Sequence, residues 1–348
     1  MVDTSPGPTA LPISWLVIGV IALLVAAVVS VSVGAAGLSI NGIVAEMLDR
    51  LPWIDIESGL SGTDSSVLWQ VRLPRIALGA LVGGMLALAG TSYQGIFRNP
   101  LADPYLLGVA AGAGLGATLA IVYGPQTGGA SIAIVAPAAF AGALIAALGS
   151  YLLGTVGRAT TITLILAGVA VAAFLTAIQT YVQLRNTDSL REVFSWMLGR
   201  ISTAGWREVR AILPLVVISC IVIFLYRRLL DVLALGDEEA TTLGIKVTTV
   251  RLVVLVAASL GTAAVVAVSG LIGFVGIIVP HALRLVIGTS YVRLVPLSFL
   301  AGATFLVFAD LVGRTIISPA ELPIGVVTAF IGAPFFLAIL LRSERTSA

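Results

Sequence analysis

Histidine and cysteine, the side chains that most often bind metals or attack substrates, each occur once in this chain of 348 residues. Cys220 lies inside a long apolar run. Because it is the single cysteine, an intrachain disulfide and a cysteine-type zinc site are both excluded. His281 follows a proline near the end of another apolar run, and one imidazole offers no coordination shell. We interpret His281 as a polar group bonded at a helix end beside Arg284, with a substrate or metal ligand as the alternative. No metal site is therefore predicted.

The motifs of common catalytic sites are missing from the sequence. It contains no GxxxxGK[ST] phosphate loop, no GxSxG nucleophile elbow and no HExxH zinc pair. Ion-driven transport would need ionisable groups at mid-membrane depth, whereas Glu46, Asp310 and Glu321 all fall near the ends of apolar runs. We therefore expect a chain that is not an enzyme and does not bind ATP by itself.

One short segment combines an acidic start with an apolar face. Its defining residues are Gly236, Asp237, Glu238, Ala240, Leu243 and Gly244. The acids favour the N-terminus of a helix because the helix dipole is positive there, and Gly244 occupies the position of a C-terminal cap. In a helix of about two turns, Ala240 and Leu243 would form a small apolar face suited to a cleft in a partner. A solvated connector between two helices is the alternative.

Arginine side chains mark the ends of two apolar runs. Arg72 and Arg75 are three residues apart where one run begins, and Arg314 ends another run shortly before Glu321. Arginines at such positions can form a charged surface that steers a partner into register. They can also anchor helices at a membrane interface, and the spacing is compatible with both interpretations.

The elements that must position these residues are membrane-spanning helices. Hydrophobic residues make up 59% of the chain and charged residues 10%, with a mean hydropathy of +1.10. Soluble domains contain about 25% charged residues. Apolar runs long enough to cross a hydrocarbon core of about 30 Å recur along the chain and predict about ten transmembrane helices. The predicted fold class is an all-α, polytopic membrane protein.

Prolines and glycines predict where helices begin and how they pack. Pro74 is predicted to be the first residue of one helix, and Asp103 and Pro104 the N-cap and first residue of the next. Gly79 and Gly83 stand four residues apart, so a helix would place both on one side and let a neighbouring backbone approach closely. A glycine-lined conduit for a bulky ligand is the alternative.

Five blocks of the sequence, in one order, closely resemble the permease subunits of type II ABC importers for ferric siderophores, haem and cobalamin. The first block extends from Arg72 to Gly116. The others are LALGDEEATTLGI (233–245), SGLIGFVGIIVPHALRL (269–285), ADLVGR (309–314) and ELPIGVVTAFIGAPFF (321–336). Together they cover the chain from about Trp69 to Leu341.

The resemblance implies partners and roles for the residues singled out above. It implies a homodimer that encloses the transport path, two ATP-binding cassette ATPase subunits that bind ATP and Mg²⁺, and an extracytoplasmic solute-binding protein. No cofactor is implied for this chain. The acidic segment would be the ATPase coupling element, and Arg72, Arg75 and Arg314 would dock the binding protein. Asn99 and Leu101 would form the cytoplasmic gate.

The sequence thus predicts a permease that moves an iron chelate, a ferric siderophore or haem, into the cytoplasm. Cobalamin import is the alternative, and an ion-coupled secondary transporter is a more distant one. We expect cytoplasmic tails at 1–12 and 343–348 and one transmembrane domain at 13–342, with a coupling segment at about 231–247. Lys and Arg are divided almost evenly between the two sides, so cytoplasmic termini rest on the resemblance. No basic cluster suggests a nucleic-acid surface.

Overall fold

The structure, a computed structural model, describes residues 11–34, 39–50, 53, 58–125, 132–156, 161–202 and 205–347. The described residues form helices joined by turns, without a β-strand. The helices are α1 (Ile13–Ser32), α2 (Ile40–Asp49), α3 (Gly62–Val67), α4 (Leu73–Phe97), α5 (Val109–Tyr123), α6 (Ile132–Thr155), α7 (Thr161–Arg185), α8 (Leu190–Met197), α9 (Trp206–Leu233), α10 (Asp237–Thr242), α11 (Val247–Ser269), α12 (Val275–Ile287), α13 (Tyr291–Thr315) and α14 (Ile324–Ser347).

Ten of the described helical segments are apolar enough to account for the predicted spans. Seven are long enough to cross a bilayer: α1, α6, α7, α9, α11, α13 and the continuous helical segment Gly62–Phe97, which includes α4. The three others, α5, α12 and α14, are shorter apolar helices. The prediction of an all-α, polytopic membrane protein is confirmed. Most of the predicted tail at 1–12 lies outside the described residues, and α14 continues to Ser347, into the tail predicted at 343–348.

The helix that contains Pro74 begins earlier than the proline predicts. A π-helical turn over Leu68–Arg72 joins α3 to α4, so that one helical segment extends from Gly62 to Phe97. The prediction that Pro74 begins this helix is therefore wrong. A proline inside a regular helix clashes with the carbonyl group four residues earlier. Here a π turn directly precedes the proline, and the N–H of Leu73 bonds to the carbonyl of Leu68, five residues earlier.

The start of α5 also differs from the prediction. Asp103 accepts a hydrogen bond from the backbone N–H of Tyr105 at 2.7 Å, which closes a local turn rather than capping a helix. The helix begins only at Val109, after Gly108. Gly108 has a φ of 74°, a left-handed backbone conformation that glycine adopts without steric cost. Aspartate stabilises turns and helix starts by the same side-chain bond, so the sequence motif fits both.

The centre of the protein is α4. Every residue from Val82 to Phe97 is buried, and α4 packs against α9, α11, α12 and α13. Its hydroxyl groups bond to neighbouring helices: Thr91 donates to Ser298 at 2.7 Å, and Tyr93 lies 2.7 Å from the hydroxyl of Ser259. A second group is formed by α5, α6 and α7, which pack against one another. The interior of one chain is therefore filled by helix packing.

Glycines allow the backbone of α4 to touch its neighbours. A Cβ atom placed on Gly83 would lie 2.2 Å from the carbonyl oxygen of Gly302 on α13, and a Cβ on Gly302 would lie 2.3 Å from that of Gly83. A Cβ on Gly90 would lie 2.0 Å from the carbonyl oxygen of Gly276 on α12. These contacts support the packing interpretation of the glycine spacing, because backbone occupies the space that a conduit would need.

We predict that Gly83→Ala lowers the free energy of unfolding by about 1–3 kcal/mol, since the added methyl group must push α13 away. Gly79→Ala is the matched control one turn earlier, where the new Cβ would lie 3.6 Å from the nearest side-chain atom of Val307. Thermal unfolding of the purified protein in detergent, followed by tryptophan fluorescence, measures both. Equal effects of the two substitutions would contradict the contact.

Candidate coupling, gate and rim sites

The acidic segment forms the helix that its charges and glycines predict. Helix α10 extends from Asp237 to Thr242, with Gly236 as N-cap and three acids in its first turn. Leu243 is the C-terminal cap, and Gly244 follows with a left-handed φ of 79°. The negative charges therefore lie at the positive end of the helix dipole. This short helix connects α9 to α11.

The two apolar residues of α10 do not share an exposed face. Ala240 is fully buried and joins the main hydrophobic core, whereas Leu243 is 64% exposed. The expectation that Ala240 and Leu243 form one outward face is wrong, because the helix packs on α9 and α11 through its Ala240 side. Leu235, just before the helix, is also exposed, at 65%. Sequence spacing alone could not distinguish the inward side from the outward side.

Asp237 connects α10 to two other helices. Its carboxylate accepts hydrogen bonds from Arg251 of α11 at 3.1 and 3.2 Å, and it lies 3.0 Å from the guanidinium of Arg98 at the end of α4. The proposed coupling helix and the end of α4 therefore lie at the same end of the molecule.

The predicted gate residues form a turn directly after α4. Arg98 ends the helix in a left-handed conformation, with a φ of 49°. The side chain of Asn99 then accepts a hydrogen bond from the backbone N–H of Leu101 at 2.9 Å. Gln94, in the last turn of α4, bonds to α12: its side chain donates to the carbonyl oxygen of Gly276 at 3.1 Å and accepts from Arg284. Leu101 itself is 43% exposed.

At the opposite end of α4, Arg75 bonds to two carboxylates. Its guanidinium donates to both oxygens of Asp310 at 2.9–3.1 Å and to both oxygens of Glu321 at 2.9 Å. The side chains of Arg75 and Asp310 are 12% and 8% exposed, and that of Glu321 is 40% exposed. We call Arg72, Arg75, Arg314, Asp310 and Glu321 the rim cluster.

The other two arginines of the rim cluster bind the end of α1. Arg72 donates to the backbone carbonyl of Val31, and Arg314 donates to the carbonyl of Ser30 and, at 2.7 Å, to its hydroxyl. The last carbonyl groups of a helix have no partner within the helix and carry partial negative charge. The two guanidinium groups therefore cap α1.

The structure thus brings Arg72, Arg75 and Arg314 together, as the docking prediction requires, and gives each of them partners within the chain. Sequence reasoning missed the role of Asp310 as the main partner of Arg75. The signal for it was weak: Asp310 and Arg314 lie four residues apart on one helix, and an acid near the end of an apolar run needs a cation. Docking of a binding protein at this cluster stays a prediction.

Two further ionisable side chains have local partners. Glu46 on α2 accepts hydrogen bonds from Ser58 and Ser65, both at 2.6 Å, and from Trp69 at 3.2 Å. The hydrogen bonds from Ser58 and Ser65 lower the pKa of Glu46 below its ordinary value. The carboxylate of Glu46 therefore connects α2 to Ser58, Ser65 and Trp69, in the part of the chain that precedes α4.

His281 on α12 lies edge-on to Phe335 of α14, with ring centroids 6.1 Å apart.

Known proteins resemble this chain along almost its whole length. A profile of the FecCD transport family matches residues 22–342. A cobalamin import system permease of Halobacterium salinarum is 41% identical over 90% of this chain and 86% of its own length. A hemin transport system permease of Yersinia pestis is 39% identical over 80% and 84%, and an Fe(3+)-citrate import system permease of Bacillus subtilis is 36% identical over 90% of each. An ABC transporter of the metal-chelate type, solved in an inward-facing conformation, superimposes with a TM-score of 0.83 at 30% identity, covering 95% of this chain and all of that one.

We predict that Asp310→Asn lowers the free energy of unfolding by on the order of 3 kcal/mol, because it leaves the charge of Arg75 poorly compensated in a buried position. Glu321→Gln removes the second carboxylate of the same arginine and should cost no more than about 1 kcal/mol, since that carboxylate is partly exposed to solvent. Unfolding by a denaturing detergent measures both. The buried pair would not be the stabilising one if Glu321→Gln had the larger effect.

Proposed function

This chain belongs to the FecCD transport family, and from that premise we propose that it carries an iron chelate, a ferric siderophore or haem, across the cytoplasmic membrane into the cell. It is a multi-pass membrane permease of the ABC importer type, with a family match that covers residues 22–342. The observation that carries the proposal is the full-length likeness to a metal-chelate type ABC transporter, with a TM-score of 0.83.

The substrate is proposed from the relatives rather than from a binding pocket. Among them, the permeases of Yersinia pestis and Bacillus subtilis are named for hemin and Fe(3+)-citrate. Cobalamin is the second candidate, because the Halobacterium salinarum relative, 41% identical, is named for cobalamin import. All three ligands are bulky metal complexes, so one wide path suits each of them.

A homodimer with the path between its two copies fits the packing of the single chain. The central helix α4 is buried without interruption from Val82 to Phe97, and its glycines touch α12 and α13. A chelate of several hundred daltons has no room in such an interior. Two copies related by a two-fold axis would provide a path along their shared boundary.

We further propose that two ATPase subunits bind ATP and Mg²⁺ and grip this permease at α10. The exposed Leu243 beside an acidic first turn supports this role, since it combines an apolar anchor with charges that set orientation. The face that carries α10 and the Asn99–Leu101 turn would then be cytoplasmic. With ten crossings, both termini lie on that side as well.

The rim cluster would receive the solute-binding protein on the other side of the membrane. Arg75 and Arg98 mark the two ends of α4 and lie about 35 Å apart for a rise of about 1.5 Å per residue, enough to span the hydrocarbon core. Three guanidinium groups face two carboxylates in the cluster, which leaves a positive excess for acidic residues of the partner. Rim charges of this kind act mainly on the association rate and are weakened by salt.

Transport is tested with this permease, its ATPase and its binding protein in proteoliposomes, using radiolabelled ferric siderophore, haem and cobalamin. We expect ATP-dependent accumulation of an iron chelate and none with a non-hydrolysable ATP analogue. Accumulation of cobalamin alone would establish the second candidate. Accumulation driven by an ion gradient without ATP would refute the importer.

We predict that Leu243→Asp weakens co-purification with the ATPase by roughly tenfold, the effect of losing one buried leucine from an interface. Val156→Asp is the matched control, because Val156 is 78% exposed after α6, at the same end of the molecule but outside α10. A pull-down at several ATPase concentrations measures the two variants. Unchanged binding by Leu243→Asp would exclude α10 as the main contact, whereas equal losses in both variants would indicate a nonspecific effect.

A further inference from the structure

One carboxylate, that of Asp237, joins the proposed ATPase contact to the proposed gate. Asp237 is the first residue of α10, and Arg98 is the residue that ends α4 just before the Asn99–Leu101 turn. The Arg98 Nη2 and Asp237 Oδ1 atoms lie 3.0 Å apart. The two residues are far apart in the sequence, because α5 to α9 lie between them.

The two arginines bound by Asp237 differ in what they attach. Arg251 belongs to α11, which directly follows α10, and its side chain is only 13% exposed. Two further features attach α10 to α11: Ala240 is fully buried, and its carbonyl accepts a hydrogen bond from the N–H of Ile245 at 3.0 Å. Arg251 therefore anchors the helix to its own surroundings. Arg98, whose side chain is 41% exposed, instead connects Asp237 to the end of α4.

Arg98 and the gate turn form one short, stiff piece of chain. The left-handed backbone of Arg98 is unusual for a residue with a side chain, and the N–H of Arg98 still bonds to the carbonyl of Gln94. The next residue, Asn99, closes the turn by its bond to the N–H of Leu101. A force applied to the Arg98 side chain therefore reaches Asn99 and Leu101 without an intervening flexible segment.

The turn also has space in which to move. A cavity of about 690 Å³ lies between the turn and the segment that leads into α10, with Asn99, Pro100 and Leu235 among its lining residues. A packed interior would resist a shift of the turn toward α10, whereas an open cavity of this size does not.

We propose that the Arg98–Asp237 ion pair is the link that transmits displacement of α10 to the cytoplasmic gate, with Arg98 as a positioning residue. This inference rests on the proposed function of α10 as the ATPase contact. An exposed ion pair of this kind adds little stability. Its loss should therefore leave folding and assembly intact while it separates ATP hydrolysis from gate movement.

The test uses the complete importer in proteoliposomes, with Leu101→Cys on a Cys220→Ser background. A bifunctional thiol reagent reports the separation of the two gate turns across the dimer axis, with and without ATP. We expect ATP to change the cross-linked fraction in the reference protein and to have no effect after Arg98→Gln. Uptake per ATP hydrolysed should fall several-fold, whereas ATPase co-purification stays unchanged.

Three further variants make the result specific. Arg98→Lys should restore the ATP response, because it keeps the positive charge, and Arg228→Gln, which removes a charge from α9 near the same end, should behave as the reference protein. On an Asp237→Asn background, Arg98→Gln should have no additional effect. The link is overturned if Arg98→Gln keeps the ATP response, or if its effect is undiminished on that background. A reference protein without ATP-driven uptake would instead overturn the proposed function itself.

Discussion

The contact between the backbones of α4 and α13, at Gly83 and Gly302, is the constraint on which the rest of the architecture depends. Neither residue can carry a Cβ atom without striking the carbonyl oxygen of the other. In lipid, helices gain little from hydrophobic association, and close van der Waals packing between small residues takes its place. Once α4 is enclosed by α9, α11, α12 and α13, the remaining helices can only pack around this central group.

The second constraint is the absence of water around the spans. A charge or a free carbonyl group within the hydrocarbon layer must find its partner in the protein. The rim cluster meets this requirement twice: Arg75 pairs with Asp310 and Glu321, and Arg72 and Arg314 cap the last carbonyls of α1. The same arginines that could attract a binding protein therefore also close the end of the first helix. A surface used for docking and a structural cap are compatible here, because guanidinium groups have donors to spare.

Both functional regions are attached to α4. Its first turn carries Arg75 of the rim cluster, and Arg98, which caps its C-terminal end, contacts α10 and leads into the gate turn. One continuous helix, buried from Val82 to Phe97, joins the two ends and holds their separation constant. Movements needed for transport are then expected in the turn after α4, which lines a cavity, and in the short helix α10, which Leu243 leaves with an exposed side chain at its end, rather than within α4 itself.

Local sequence determined a large part of this protein. Apolar runs specified the seven helices that are long enough to cross a bilayer, because crossing depends on length and hydropathy, and they also specified the three shorter apolar helices. The acids and glycines of 236–244 specified α10, because helix ends respond to nearby charges and backbone freedom. Tertiary structure decided which side of α10 faces inward, so that Ala240 is buried and Leu243 is not. It also decided the start of the helix around Pro74 and the pairing of Arg75 with Asp310 and of Arg98 with Asp237. These outcomes depend on residues far apart in the chain, and only the packing of the helices brings such residues within a few ångströms of each other.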